Sequence, residues 1–312
     1  MVLGFFMLKY DDIINDIRNN CSYTGKDIGI AVFDTGISPH EDLKERIYAF
    51  KNMVKGEECN KNVISDDIPF DDNGHGTHVA GIISGNGRMS DLRYRGIASG
   101  TKLVGVKVLN YKGIGKLQYI CEGIDWVIEN RQKYNIRVAN FSVGGVAGSQ
   151  DMETDVFVNA VRKLAKTGII VVAAAGNNGP RSNTITVPGI CREVITVGSS
   201  DDNIPIKTSN GKRYISDYSG RGGDSIILKP DITAPGSYIT SCLNNRNGYA
   251  VKSGTSMASA VVSGAICLYL EKYKSATTEN IRERLCATAY DGGRPREKQG
   301  CGILNIRRFL AI

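Results

Sequence analysis

The chain has 312 residues, 41% of them apolar and 23% charged, with a net charge of +7. That is an ordinary globular mixture, and it excludes a disordered chain, a coiled coil and a collagen-like repeat. The basic excess is spread along the sequence, and no basic run alternates with aromatics, so the reading is no nucleic-acid partner. Glycine is the outlier at 36 residues, against a usual share of about 7%. The glycines fall in short clusters, as tight turns and close backbone approaches require.

In chain order, MVLGFFMLKYDD opens with a short apolar run. No Lys or Arg precedes it, no small-x-small cleavage site follows, and helix-like charged sequence comes next. Ile28–Phe33 reads as a buried strand, as do Lys102–Leu109, Ile169–Ala175 and Val194–Gly198. Leu117–Tyr134 and Asp151–Ala165 carry helical spacing, with Ile120, Ile124, Val127 and Ile128 on one face. Met257–Tyr273 predicts a long, nearly all-apolar helix, and Thr277–Ala287 a surface helix. Its most apolar stretch, Ala258–Leu270, contains two serines and ends at Glu271 and Lys272; it falls short of the ~20 residues of a membrane span. Alternating strands and helices predict an α/β fold, a mainly parallel twisted sheet with helices on both faces. The eight cysteines include no CxxC pair, which excludes zinc ribbons and thioredoxin-type sites. Cys121, Cys242 and Cys267 sit in apolar runs and read as reduced, buried thiols.

In such a sheet, ligands gather at the carboxyl ends of strands. Asp34-Thr35-Gly36 follows the first strand, and Gly176-Asn177-Asn178-Gly179 follows another. Only three histidines occur, His40, His75 and His78, and two share the stretch Asn73-Gly74-His75-Gly76-Thr77-His78. A histidine is the usual general base near neutral pH. A serine becomes a nucleophile when a base takes its proton and a third group holds that base. These needs are met by Ser256 at the start of the long helix, His75 as base and Asp34 as its orienter, with the Asn177 amide facing the oxyanion. Each residue has a plainer alternative: a turn aspartate, a structural or metal-binding histidine beside His78, Asp71 or Asp72, a helix-capping serine, a left-handed turn asparagine. The metal alternative is weak, since neither HExxH nor Cys/His ligand spacing is present.

Four stretches together carry a resemblance: AVFDTGISPHEDL around Asp34, DDNGHGTHVAG around His75, VVAAAGNNGP around Asn177 and SGTSMASA around Ser256. The sequence resembles the subtilisin-like serine proteases from about Tyr23 to Arg307, closest in character to the intracellular ones without a long prodomain. The resemblance implies a subtilisin-like fold, a serine endopeptidase working through an acyl-enzyme, an Asp34–His75–Ser256 triad and an oxyanion donor at Asn177. It also implies that an extended peptide lies between Gly113-Ile114-Gly115 and Ser142-Val143-Gly144. Leu117 and Ile120 would line a distal apolar pocket, and Asn178 and Thr186 the floor of the pocket for the residue before the cut. Neither floor residue is charged, so no strict preference for charged side chains is expected.

The chain departs from the family in places. Ala260 and Val261 stand after the nucleophile where proline and histidine are usual, and Ser99 replaces a proline. Gly85–Arg95 does not match the loop that wraps a structural calcium, although Asp42 aligns with one of its ligands. The expectation is therefore no cofactor for the chemistry and no assigned metal ligand, with a structural calcium left open but unsupported at that loop. Residues 1–22 read as an N-terminal segment, regulatory at most, before a single peptidase domain at 23–312. A peptide or protein substrate, no membrane partner and a cytoplasmic location complete the reading. Two alternatives accompany it: a dedicated processing protease for one precursor, and a catalytically silent peptide-binding relative. A lone Asp-Thr-Gly rules against an aspartic protease, which pairs two.

Overall fold

A computed structural model describes residues 9–55, 67–144, 156–202, 204–207, 213–223, 228–245 and 247–312. Its centre is a seven-stranded sheet. The strands, in chain order, are Gly29–Asp34 (β1), Ile47–Asn52 (β2), Lys102–Lys107 (β3), Ile136–Phe141 (β4), Ile170–Ala174 (β5) and Ile195–Ser199 (β6). After the short strands Ile204–Lys207 (β7) and Arg213–Ser216 (β8) comes Ile232–Ala234 (β9), the seventh. Its spatial order is β2-β3-β1-β4-β5-β6-β9, with every neighbouring pair parallel. Two small antiparallel pairs stand apart, β7 with β8 and Ile239–Cys242 (β10) with Tyr249–Lys252 (β11).

Both faces of the sheet are buried, which is why its strands read as continuous apolar runs. Along β1 the side chains alternate. Ile30 and Val32 join the core beneath the helices Tyr10–Asn20 (α1), His75–Ser84 (α2), Thr255–Lys272 (α5), Thr278–Thr288 (α6) and Ile306–Leu310 (α8). Ala31 and Phe33 join the opposite core, under Leu117–Asn130 (α3) and Val156–Ala165 (α4). Phe33 stacks on its register partner Phe141, ring centroids 4.2 Å apart. A four-residue helix, Arg296–Gln299 (α7), completes the set.

Helix α5 is buried on nearly every side. Its small residues let it lie close to α2 and the sheet, and its serines are satisfied internally. Ser259 Oγ donates to the Ser256 carbonyl at 2.9 Å, and Ser263 Oγ to Asn140 Oδ1 at 3.0 Å.

The strands and helices expected from hydrophobic pattern are present within a few residues. The first turn of the helix expected at Asp151–Ala165 lies outside the described residues. The N-terminal boundary is where pattern and packing part. Helix α1 buries Tyr10, Ile13, Ile14 and Ile17 in the same core as α2 and α5. Tyr10 Oη reaches the Arg95 carbonyl, Arg18 the Leu92 carbonyl at 2.6 Å, and Arg307 pairs with Asp16. The packed unit thus begins before residue 23. Residues 1–8 lie outside those described.

Cys286 on α6 is bonded to Cys301, a pairing no spacing rule indicated. Cys21, Cys121, Cys191, Cys242 and Cys267 form no disulfide among the described residues, the last three buried; Cys59 lies outside the described residues.

Candidate active site

Strand β1 lies between β3 and β4, where the chain leaves one half of the sheet for the other. At that switch point the strand ends leave a crevice. Asp34 closes β1 there, fully buried. His75 opens α2, and its Nδ1 lies 2.8 and 2.9 Å from the two carboxylate oxygens of Asp34.

The turn Asp71-Asp72-Asn73-Gly74 sets that approach. Asp71 Oδ1 accepts the N–H groups of Asn73 and Gly74 and the Thr35 hydroxyl, and Oδ2 accepts the N–H and hydroxyl of Thr77. Thr35 Oγ1 in turn accepts the Gly76 N–H at 2.9 Å. An aspartate that collects the free N–H groups at a helix start both caps the helix and fixes its entry angle. A side chain at Gly76 would place Cβ 2.1 Å from the Gly36 carbonyl and 3.0 Å from Asp34 Cβ. Glycine is what lets α2 close on β1.

Burial works to lower the His75 pKa, but the charge and hydrogen bond of Asp34 outweigh it, and the net shift is upward. His78, one turn on, is different. Burial pushes it down to about 4, and its Nε2 sits 3.1 and 3.0 Å from the carbonyls of Ile239 and Ala250. It is a neutral imidazole joining α2 to the β10–β11 pair.

Ser256 is the second residue of α5, 8% exposed, and its Oγ donates to the Ser142 carbonyl at 3.3 Å. Among the described residues it makes no hydrogen bond to His75, so the hydroxyl rests on the neighbouring segment. Asn177 is exposed after β5. Its Oδ1 accepts the N–H and hydroxyl of Thr255, which leaves its amide donor for the cleft beside Ser256.

Gly113, Ile114, Gly115 and Leu117 are exposed on the turn before α3 and at its start, with Ile114 at 63%. Asn110 shapes that turn by accepting the N–H groups of Lys112 and Ile114. Asn73 Nδ2 ties it to the His75 turn through the Tyr111 carbonyl. Ser142 and Val143 are buried and Gly144 is exposed after β4. Thr186 packs against Gly144 and Gly176, with a buried Oγ1 that has no hydrogen-bond partner among the described residues. Asn178 is exposed on the turn after Asn177. Ile120, expected with Leu117 in a distal apolar pocket, is buried in the core under α3.

The metal alternatives find no support in donor chemistry. Asp71 is spent on the turn, and Asp72 is paired with Lys107. His40, Asp42 and Cys242 do come together, all buried. Yet His40 Nδ1 accepts the Asp42 N–H and its Nε2 donates to the Gly248 carbonyl. Asp42 accepts the Met89 N–H and, at 2.6 Å, the Tyr249 hydroxyl. Burial pushes the Cys242 thiol up, keeping it protonated. Calcium takes 6–8 oxygen ligands, and this set does not fit it.

Sequence reading missed Lys107. This fully buried ammonium donates to the carbonyls of Thr35 and Leu109 at 2.6 and 2.8 Å and to Asp72 at 2.7 Å. A lysine ending an otherwise apolar strand, opposite Asp34 in register, was the available signal. A cavity of about 680 Å³ under α1 is lined by Tyr10, Ile14, Arg93 and Tyr238 and by none of the site residues.

A buried carboxylate holding an imidazole at the mouth of a parallel sheet, with a serine at a helix start nearby, has the parts of a serine hydrolase site. Comparison with known proteins gives the family. The subtilase family matches residues 25–303, and the chain belongs to that family, a subtilisin-like serine protease. It is 40% identical to serine protease AprX of Bacillus subtilis (strain 168) over 288 residues, 86% of this chain and 62% of that protein. It is 33% identical to subtilisin DY of Bacillus licheniformis, covering 91% of each. Among solved structures, Sphericase matches 96% of this chain and 98% of its own at TM-score 0.76 and 28% identity. A cold-adapted subtilisin-like serine proteinase matches 91% and 89% at TM-score 0.67 and 30% identity. No helix among the described residues is long and apolar enough to cross a membrane.

Proposed function

We propose that Asp34, His75, Ser256 and Asn177 carry the peptidase chemistry of this chain. The observation that carries the reading is the contact of His75 Nδ1 with both Asp34 oxygens, at 2.8 and 2.9 Å. It fixes the tautomer, with the proton on Nδ1 and a lone pair on Nε2. Ser256 turns from the Ser142 carbonyl, gives its proton to Nε2 and adds through Oγ to the scissile carbonyl. The oxyanion meets the Asn177 amide and the Ser256 N–H, a donor in the first turn of α5. His75 passes the proton to the leaving amine as the C–N bond breaks. Water then repeats the sequence on the acyl-enzyme and restores Ser256.

The peptide lies extended between Gly113–Gly115 and Ser142–Gly144, with Leu117 reached further along it. Thr186 and Asn178 bound the pocket for the residue before the cut; both are uncharged, which favours broad tolerance over a single processing motif. Labelling with a serine-directed phosphonate, mapped by mass, tests the assignment. One adduct on Ser256, absent in Ser256→Ala, is expected; an adduct elsewhere, or none on folded protein, overturns it.

A cytoplasmic site of action is proposed on the thiols of Cys21, Cys121, Cys242 and Cys267, which form no disulfide among the described residues and suit a reducing compartment. The Cys286–Cys301 bond is the feature that opposes it. Alkylation of thiols in fresh cell lysate decides the matter: a reduced pair supports the cytoplasm, an oxidised pair an exported enzyme. No ion is assigned to Asp42, because protein donors already occupy its oxygens.

A further inference from the structure

Most half-buried or buried lysines among the described residues are paired with carboxylates. Lys51 meets Asp67, Lys102 meets Asp27, Lys107 meets Asp72, Lys229 meets Asp231, and Lys298 meets Asp202 and Asp217. Lys252 and Lys272 are the exceptions, and Lys272 donates instead to the Leu310 carbonyl at 3.2 Å. Lys252 is half-buried at the end of β11, four residues before Ser256, and no carboxylate among the described residues pairs with it.

Its place follows from the strand register. Lys252 lies opposite Ile239, whose carbonyl is 3.1 Å from His78 Nε2, while the Ala250 carbonyl on its own strand is 3.0 Å from the same nitrogen. His78 and His75 are three residues apart on α2, one turn of the same helix face. The β11 end therefore stands beside the catalytic imidazole. Lys252's charge is felt there, opposing the upward pull of Asp34 on the His75 pKa. The carboxylates around His75 are already engaged: Asp34 is held by His75 and the Thr35 N–H, and Asp71 by the turn. Of the segments assigned to the acyl half of the peptide, 113–115 belongs to the turn that Asn73 holds through the Tyr111 carbonyl, and 142–144 meets Ser256. The leaving half is left with the flank that β10 and β11 form.

We propose that Lys252 is a specificity residue for the leaving half of the substrate, favouring aspartate or glutamate at the first or second position after the scissile bond. An unpaired ammonium beside the site gains a partner only when such a peptide binds, and like charge is penalised there. The proposal rests on the peptidase assignment above.

The test uses internally quenched peptides identical before the cut, with Asp, Glu, Ala or Lys at each of the two following positions. Wild type, Lys252→Ala and Lys252→Glu are compared at equal concentrations of phosphonate-titrated sites. Wild type should prefer the acidic peptides over the lysine ones by on the order of five- to tenfold in kcat/KM, with the advantage shrinking in high salt. Lys252→Ala should flatten that ratio, and Lys252→Glu should invert it. A wild type indifferent to charge, or a preference that survives both substitutions, overturns the proposal. Absence of both cleavage and a titratable serine overturns the peptidase assignment with it.

Discussion

Lys107 Nζ lies 2.7 Å from Asp72 Oδ1, and the same ammonium donates to the carbonyl of Thr35, the residue after Asp34. One buried charge thus ties the end of β1, the end of β3 and the turn before His75. Lys107→Met would leave the Asp72 carboxylate buried and unpaired. The expected cost is about 3–5 kcal/mol of stability, read as a lowered denaturant midpoint. A variant as stable as wild type would show that the pair carries nothing.

Asn177→Ala removes a donor whose own oxygen is anchored by Thr255. Peptide turnover should fall roughly 10²–10³-fold, the range known for loss of such a donor in a subtilisin, with KM nearly unchanged. An unchanged kcat would mean the oxyanion lies elsewhere.

The two helix-borne histidines should respond oppositely to pH. His75 must be neutral to act, and its pKa is raised, so the acid limb of kcat/KM should lie above the ordinary value near 6.5. Lys252 opposes that shift, so Lys252→Ala should move the limb higher still. His78 stays neutral in the fold down to about 4, whereas the unfolded chain takes its proton near 6.5. Its stabilising contribution is complete above pH 6.5 and is lost as pH falls toward 4. His75 has the opposite sign, contributing below pH 6.5 and losing that contribution as pH rises through its folded pKa. Thermal midpoints between pH 7 and 4.5 should therefore fall less in His78→Gln than in wild type.

Helix α1 is part of the folded unit, with Ile13 and Ile17 almost fully buried. Ile13→Ala should cost about 2–5 kcal/mol, and deletion of residues 1–20 more. A truncated chain melting at the wild-type temperature would show that α1 is dispensable.

Tyr249→Phe leaves one oxygen of the buried Asp42 without its hydroxyl donor. A loss of about 1–3 kcal/mol is expected, and chelators should not change the melting temperature of either protein. A chelator-sensitive wild type would place an ion in the fold.

Much of this was legible in sequence because it is local. The apolar runs of β1, β3, β5 and β6 are buried on both faces, and α3 shows its apolar stripe, so pattern alone located them. Asp34, His75, Asn177 and Ser256 each stood in a distinctive stretch, and their order along the chain carried the resemblance. What pattern did not reveal came from contacts distant in sequence. The polarity of α1 concealed a core helix, because only four of its eleven residues are buried. Cys286 and Cys301 are paired by the turn that returns the chain to β9, and no spacing rule contains that turn. Lys107 and Lys252 are ordinary lysines in a sequence. The fold buries one against Asp72 and leaves the other unpaired beside His75, because a charge takes its meaning from the solvent and partners around it. Residue type and local periodicity determined the chemistry available to this protein and the elements that bear it. Tertiary packing decided which charges meet, since desolvation and pairing depend on neighbours that are hundreds of residues apart in the chain and ångströms apart in space.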